Sequence, residues 1–332
     1  MGRMKVRIKK RFLKTVDAIK SFPSWFMKHM RLFRSAIVKQ WYRFLHNLKT
    51  KRGRKAIVKS LLFHIFTMWF AIFFLLPTLW MLVNSLRSES AIIENISSWR
   101  TFLPPEAPLE TWLNAYQDVF DRFDMFGSML LSVQYAAALI AGTLLINSLA
   151  GYALAKFDIP FKNFWISFII LLIIVPVETT IVPLYVVVDR VGLVGRFSGL
   201  FVPALANAFN IFLFRQFFLS IPKDLEEAAI IDGASRLSIF FRIVIPLSKP
   251  VFATVSIFAF IHAWNDFLWP ILVLGGQQRY PLQVYLTELI NIDPVFTNQV
   301  LAALTIATIP MLLIYSFFQK YIVHGVAHTG LK

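Results

Sequence analysis

The stretch Ser220-Ile-Pro-Lys-Asp-Leu-Glu-Glu-Ala-Ala-Ile-Ile-Asp-Gly-Ala-Ser-Arg-Leu-Ser-Ile-Phe-Phe-Arg-Ile-Val-Ile-Pro-Leu-Ser-Lys-Pro250 separates two long apolar runs. It reads as two short helices joined at a glycine. Pro222 suits the first turn of the first helix, where its missing N–H is harmless, and Asp224, Glu226 and Glu227 sit where the helix dipole favours anions. Gly233 ends that helix, because glycine enters the left-handed region without steric penalty. Ser235 then caps a second helix whose Ile239, Phe240, Ile243 and Val244 recur at helical spacing until Pro246 stops it. A small Ala228-Ala229 ledge, a sharp turn and an apolar second helix form a compact knob, a shape suited to a groove on a soluble partner.

Working outward, a helix that crosses a bilayer needs roughly 20 apolar residues, because the hydrocarbon core is about 30 Å thick. Six stretches meet that test, approximately 60–86, 125–155, 164–188, 197–219, 251–274 and 299–321. Pro77, Pro176, Pro183, Pro203, Pro270 and Pro310 fall inside them and predict kinks or broken helices. Between the first two stretches, residues 87–124 are acidic and carry Trp99, Pro104, Pro105, Trp112 and Tyr116, which predicts a compact cap.

Of the 332 residues 57% are hydrophobic and the mean hydropathy is +0.63, too apolar for a soluble globule. Against that background the net charge is +16. Residues 1–60 hold 19 Lys/Arg and one acid, Asp17, so the basicity belongs to the N-terminal extension and the remainder is nearly neutral. No signal peptide is expected, since about 60 residues precede the first long apolar run. The positive-inside rule predicts both termini of a multi-pass membrane protein in the cytoplasm. With no cysteine, disulfides, thiolate metal sites and cysteine nucleophiles are excluded, and six scattered His offer no metal cluster. No Gly-x-x-x-x-Gly-Lys-Ser/Thr phosphate loop and no Ser/His/Asp arrangement is present, so a non-catalytic chain is expected.

The spacing Glu227-Ala228-Ala229, three residues, Gly233, nine residues, Ile243, one residue, Ile245-Pro246 resembles the EAA loop of the permease subunits of binding-protein-dependent ABC importers. Ile245 stands where leucine is usual, a conservative departure. Asp232 and Ala234 complete a Glu-Ala-Ala-x-x-Asp-Gly-Ala form common there. Gly151-Tyr-Ala-Leu-Ala-Lys-Phe157, Ile181-Val-Pro-Leu-Tyr185 with Gly192-Leu193, and Trp264-Asn-Asp-Phe-Leu-Trp-Pro270 are similar to the carbohydrate, maltose-permease-like branch. The resemblance covers roughly residues 60–332. It implies an all-α membrane protein with six transmembrane helices, whose domain occupies 60–332 with a coupling loop at 220–250. It implies half of a translocation path for a di- or oligosaccharide. The implied partners are a second homologous permease, two ATPase subunits and an external solute-binding protein. ATP and Mg would be bound by the ATPase, with no cofactor in this chain. The implied coupling residues are Glu227, Ala228, Ala229, Asp232 and Gly233, with Phe240, Phe241, Ile243 and Pro246 shaping the knob. A stand-alone secondary transporter is the alternative, but no second copy of the span pattern and no charged pair within the spans supports it.

Ionisable residues at membrane depth are functional candidates by default. Glu178 and Asp266 fall in the outer halves of their stretches, and with Asn210, Trp264 and Asn265 they are candidates for a sugar path. Each can equally cap a broken helix, and Asn147, Asn207 and Gln134 read more readily as interhelical hydrogen-bonding groups. In the extension, Phe26, Met30, Phe33, Ile37, Trp41, Phe44 and Leu48 step by three and four, with Lys28, Arg31, Arg34, Lys39 and Arg43 flanking them. That pattern predicts an amphipathic helix within 1–59, held on anionic lipid over residues 24–55 and not on nucleic acid. The run 51–55, Lys-Arg-Gly-Arg-Lys, reads as a hinge into the first span.

Overall fold

The computed structural model describes residues 51–276 and 279–329, with side chains at 55, 57–276 and 279–319. The amphipathic helix expected within residues 24–50 lies outside them. Among the described residues every regular element is helical, as the sequence predicts. Three helices are long and apolar enough to cross a membrane, and up to six spans result if each bent pair counts as one.

The chain divides into two units at Leu76 and Pro77. Helix α1, Lys51–Asn84, begins in the first unit. The hinge expected at 51–55 is instead helix: Lys and Arg are good helix formers, and a lone Gly53 costs only about 1 kcal/mol against the propagation of a long apolar helix. Up to Leu76 its surface is a ladder of outward rings, with Phe66 on Phe70 at 6.0 Å and Trp69 on Phe73 at 5.8 Å. Such a surface needs an apolar solvent on all sides.

In the second unit, α2 (Glu89–Asn95), two 3-10 turns and α3 (Asn114–Arg122) build the expected cap. Buried polar groups hold it closed: the Asn84 amide donates to the Thr101 carbonyl and hydroxyl at 3.1 Å, and Arg87 donates to the carbonyls of Arg100 and Leu103. Helix α4, Met125–Lys156, is a single continuous helix long enough to span. The next stretch is broken at Pro176 into α5 (Lys162–Ile174) and α6 (Val177–Arg190), bent by 104°. The next is broken into α7 (Ser198–Phe201) with a 3-10 turn, and α8 (Ala208–Leu219), bent by 49°. Here the Asn147 amide donates to the Leu205 carbonyl, and its oxygen accepts the Asn207 N–H, both at 2.9 Å. One side chain thus replaces two helical bonds that the break removes.

The knob consists of α9 (Lys223–Ile231), α10 (Arg236–Ile239), a π-turn at Phe240–Val244 and α11 (Ile245–Leu247). After it come α12 (Lys249–Asn265), α13 (Leu268–Val273), α14 (Leu282–Leu289) and α15 (Thr297–Thr329). Backbone continues helical through Pro246, correcting the stop expected there, and breaks at Ser248. In the π-turn Ile245 N–H bonds Phe240 five residues back, and this widened register relieves the clash a proline ring makes with the carbonyl four residues before it.

Three apolar cores are strung along α4. One gathers Val119, Met125, Trp264, Leu289 and Ala303; a second Tyr152, Phe214, Phe218, Phe240 and Val255; a third Tyr135, Leu139, Leu200, Ala263 and Val273. The cap is bonded to the start of α15, where the Glu89 carboxylate accepts the Thr297 hydroxyl at 2.6 Å and the Asn298 N–H, and Gln299 donates to Asp118.

Candidate coupling site

Helical period divides α9 into two faces. Glu226 and Ala229 are buried, while Glu227, Ala228, Ile230 and Ile231 are exposed, Ile231 by 87%. The helix closes with a Schellman turn: Ala234 N–H bonds the Ala229 carbonyl at 2.9 Å, and Gly233 N–H the Ile230 carbonyl at 3.0 Å. Gly233 stands at φ 82°, in the left-handed region. Pro222 is the residue before the helix, one position earlier than the sequence suggested, and Ser235 caps α10 through the Ser238 N–H.

Of the four residues expected to shape the knob, Phe240 is fully buried, its ring 5.1 Å from Tyr152. Ile243 is half-buried against the same core. Phe241 departs from the expectation: it is exposed, with only an edge on Phe240. Neighbouring residues point about 100° apart on a helix, so Phe240 and Val244 take the inward face and Phe241 is turned out. Pro246 and Asp232 are also exposed. The exposed residues of the knob therefore include Glu227, Ala228, Ile231, Asp232, Gly233 and Phe241.

Beneath that surface lies a pair the sequence reading passed over. Lys156 Nζ, at the end of α4, is 2.8 Å from Glu226 Oε1, with both side chains about 5% exposed. The same ammonium donates to the Ile221 carbonyl at 2.9 Å, and Tyr152 donates to Glu226 Oε2. The spacing of Glu226 and Ala229 on the face opposite Glu227 and Ile231 was the available signal.

Of the residues considered for a sugar path, Trp264, Asn265, Asp266 and Asn210 have hydrogen-bond partners outside that set or within their own helix. Trp264 is buried, donates to the Ala307 carbonyl at 3.1 Å and stacks on Phe260. Asn265 is exposed and donates to the Ile261 carbonyl. Asp266 ends α12 and accepts the Tyr135 hydroxyl at 2.7 Å. Asn210 is buried, its N–H capped by Asn207. Glu178 is exposed in the first turn of α6, just after the bend. Both carboxylates therefore stand at helix breaks, where they offset freed backbone groups. Tyr135→Phe is expected to lower stability by about 1 kcal/mol, the net worth of one hydrogen bond, read as a lower midpoint of thermal unfolding in detergent.

Residues 147–328, which enclose the knob, match the family described as the binding-protein-dependent transport system inner membrane component. The chain belongs to this family. It is 30% identical over 258 residues to the arabinooligosaccharides transport permease AraQ of Halalkalibacterium halodurans, covering 77% of this chain and 90% of that one. To the sn-glycerol-3-phosphate transport permease UgpE of Pectobacterium atrosepticum it is 37% identical over 207 residues, 61% of this chain and 74% of that one. Its fold matches a chain of a bacterial ABC transporter for import of the acidic polysaccharide alginate with a TM-score of 0.71 and 27% identity, covering 82% and 98% of the two chains. It is thus a multi-pass membrane permease of the carbohydrate branch of ABC importers.

Proposed function

We propose that this chain forms half of the translocation pathway of an ATP-driven importer for an oligosaccharide and couples to a separate ATPase through Glu227, Ala228, Ala229, Asp232 and Gly233. The observation that carries the reading is the knob itself. Inside the family match, a Schellman turn at Gly233 leaves Ala228 and Ile231 exposed, while Ala229 is buried in the core beneath them. A residue as small as Ala228 lets a partner's backbone approach closely, and the exposed apolar side chains supply buried area on docking. The complex then contains a second permease, two ATPase subunits that bind ATP and Mg, and an external binding protein. Both termini face the cytoplasm, where the basic first 59 residues meet anionic lipid. Relatives named for arabinooligosaccharides and alginate support an oligosaccharide, and a relative named for sn-glycerol-3-phosphate supports a smaller solute as the alternative.

The test is purification of the tagged chain from its native membranes, followed by reconstitution with the proteins that accompany it. An ATPase should co-purify, and labelled arabino- or alginate oligosaccharides should accumulate in proteoliposomes only with ATP on the ATPase side. Absence of an ATPase overturns the coupling reading; uptake confined to monosaccharides overturns the solute class. Orientation has its own check, since the chain has no native cysteine. A cysteine at Leu109, 74% exposed on the cap, should react with an impermeant maleimide added outside intact cells, and one at Ile231 only after the membrane is opened. The reverse pattern would invert the topology.

A further inference from the structure

The pair formed by Lys156 and Glu226 is badly placed if stability were its only role. Withdrawing two charges from water is unfavourable, and a well-packed apolar pair of the same volume is often as stable or more so. What the pair does have is position. Lys156 is the last residue of α4, the helix on which all three cores are strung. Its ammonium grips α9 at two points, the Glu226 carboxylate within the helix and the Ile221 carbonyl on the segment that leads into it. Tyr152, one turn earlier on α4, adds its hydroxyl to the other carboxylate oxygen and its ring to Phe240 of the π-turn. The exposed face of α9 is therefore backed by a charged joint to one particular span. An apolar contact of equal area slides; an ion pair with a shared carbonyl fixes register and direction.

We propose that Lys156 and Glu226 are positioning residues that lock the knob to the second span, so that displacement of the knob is delivered to α4 as a rigid movement. The proposal rests on the reading of the knob as an ATPase-docking element. Neither side chain reaches the docking surface, since both are covered, so their effect on transport is exerted through the residues they hold.

The experiment uses the complete complex, purified from native membranes through a tag on this chain and reconstituted in bilayers. Spin labels are placed on cysteines introduced at Lys223, exposed at the start of α9, and at Leu145, exposed on α4. The inter-label distance is measured with no nucleotide and with MgATP plus vanadate. In the parent background one distance is expected in both states. Lys156→Met and the milder Glu226→Gln are each expected to separate the two states into different distance populations, with loss of ATP-driven uptake while the ATPase still co-purifies. Lys156→Arg, which keeps a cationic donor within reach of both the carboxylate and the Ile221 carbonyl, is expected to keep the single distance. A single unchanged distance in Glu226→Gln, or a Lys156→Arg variant that behaves like Lys156→Met, overturns the joint. Failure of any ATPase to accompany the parent chain overturns the docking reading, a result distinguishable from the first because it is scored before any label is read.

Discussion

Replacing Gly233 with valine is expected to abolish ATP-driven uptake and recovery of the ATPase with this chain, while membrane insertion stays intact. A Cβ added at Gly233 meets nothing within 4 Å, so no neighbour objects to the larger residue. The objection is in the backbone. At φ 82° an L-residue is disfavoured by about 1–2 kcal/mol, and a β-branched one by more. A penalty of 1.4 kcal/mol already shifts an equilibrium tenfold. The relaxation available to valine is to unwind the Schellman turn, which turns Ile231 and Asp232 away from the Glu227 ledge. Asparagine tolerates the left-handed region and is expected to retain most function. Aspartate tolerates it too but sets a second carboxylate beside Asp232, so Gly233→Asp should also fail. None of the three cores includes Gly233, which is why insertion is expected to hold, with only a small fall in the unfolding midpoint from the backbone penalty. Wild-type uptake in the valine variant would remove the turn from the coupling machinery.

Gly151→Leu is expected to fail at the level of folding. A Cβ there falls 2.7 Å from the Phe214 Cβ and 3.0 Å from both the Arg215 nitrogen and the Ile211 carbonyl oxygen. Two of those three atoms are backbone, so α4 and α8 must separate to admit the side chain. Small residues at helix crossings in membranes exist to permit this approach. Overpacking typically costs about 1–3 kcal/mol where side chains can give, and here the main chain has to move. Separation would also lift Tyr152 and Lys156 from the knob, since both lie within the next two turns of α4. The expected result is a fall in the unfolding midpoint in detergent for Gly151→Ala and loss of folded protein for Gly151→Leu. An unchanged midpoint in the leucine variant would contradict the crossing.

What the sequence disclosed, it disclosed through local rules. Gly233, Ser235 and the period of Ile239, Phe240 and Val244 are read within a turn of their neighbours, and the apolar stretches are read by length alone. Pro176 marked a real break because a proline interior to an apolar run must release a carbonyl. Pro246 misled for the same reason, since a π-turn upstream absorbs it and no local pattern announces a change of helical register. Pairings across the chain were not legible. Asn147 reaches across about 60 residues to bridge the break before α8, and Lys156 reaches Glu226 seventy residues on. Each residue looked ordinary in its own window, and only the fold supplies its partner. Trp264 and Asp266 show the complementary limit: chemistry suited to sugar is equally suited to tying α12 to its neighbours, and the hydrogen bonds to Ala307 and Tyr135 take the latter form.

The arrangement of the three cores sets an order of assembly during synthesis. The core that backs the knob uses residues between Tyr152 and Val255; the third ends at Leu274; the one joined to the cap needs Ala307. As the chain leaves the ribosome, the knob's foundation is the first to have all its parts in the membrane. The cap, though made much earlier, waits with Val119 and Phe123 uncovered until the last helix arrives. A chain stopped before Thr297 would thus carry a finished knob beneath an unclosed cap.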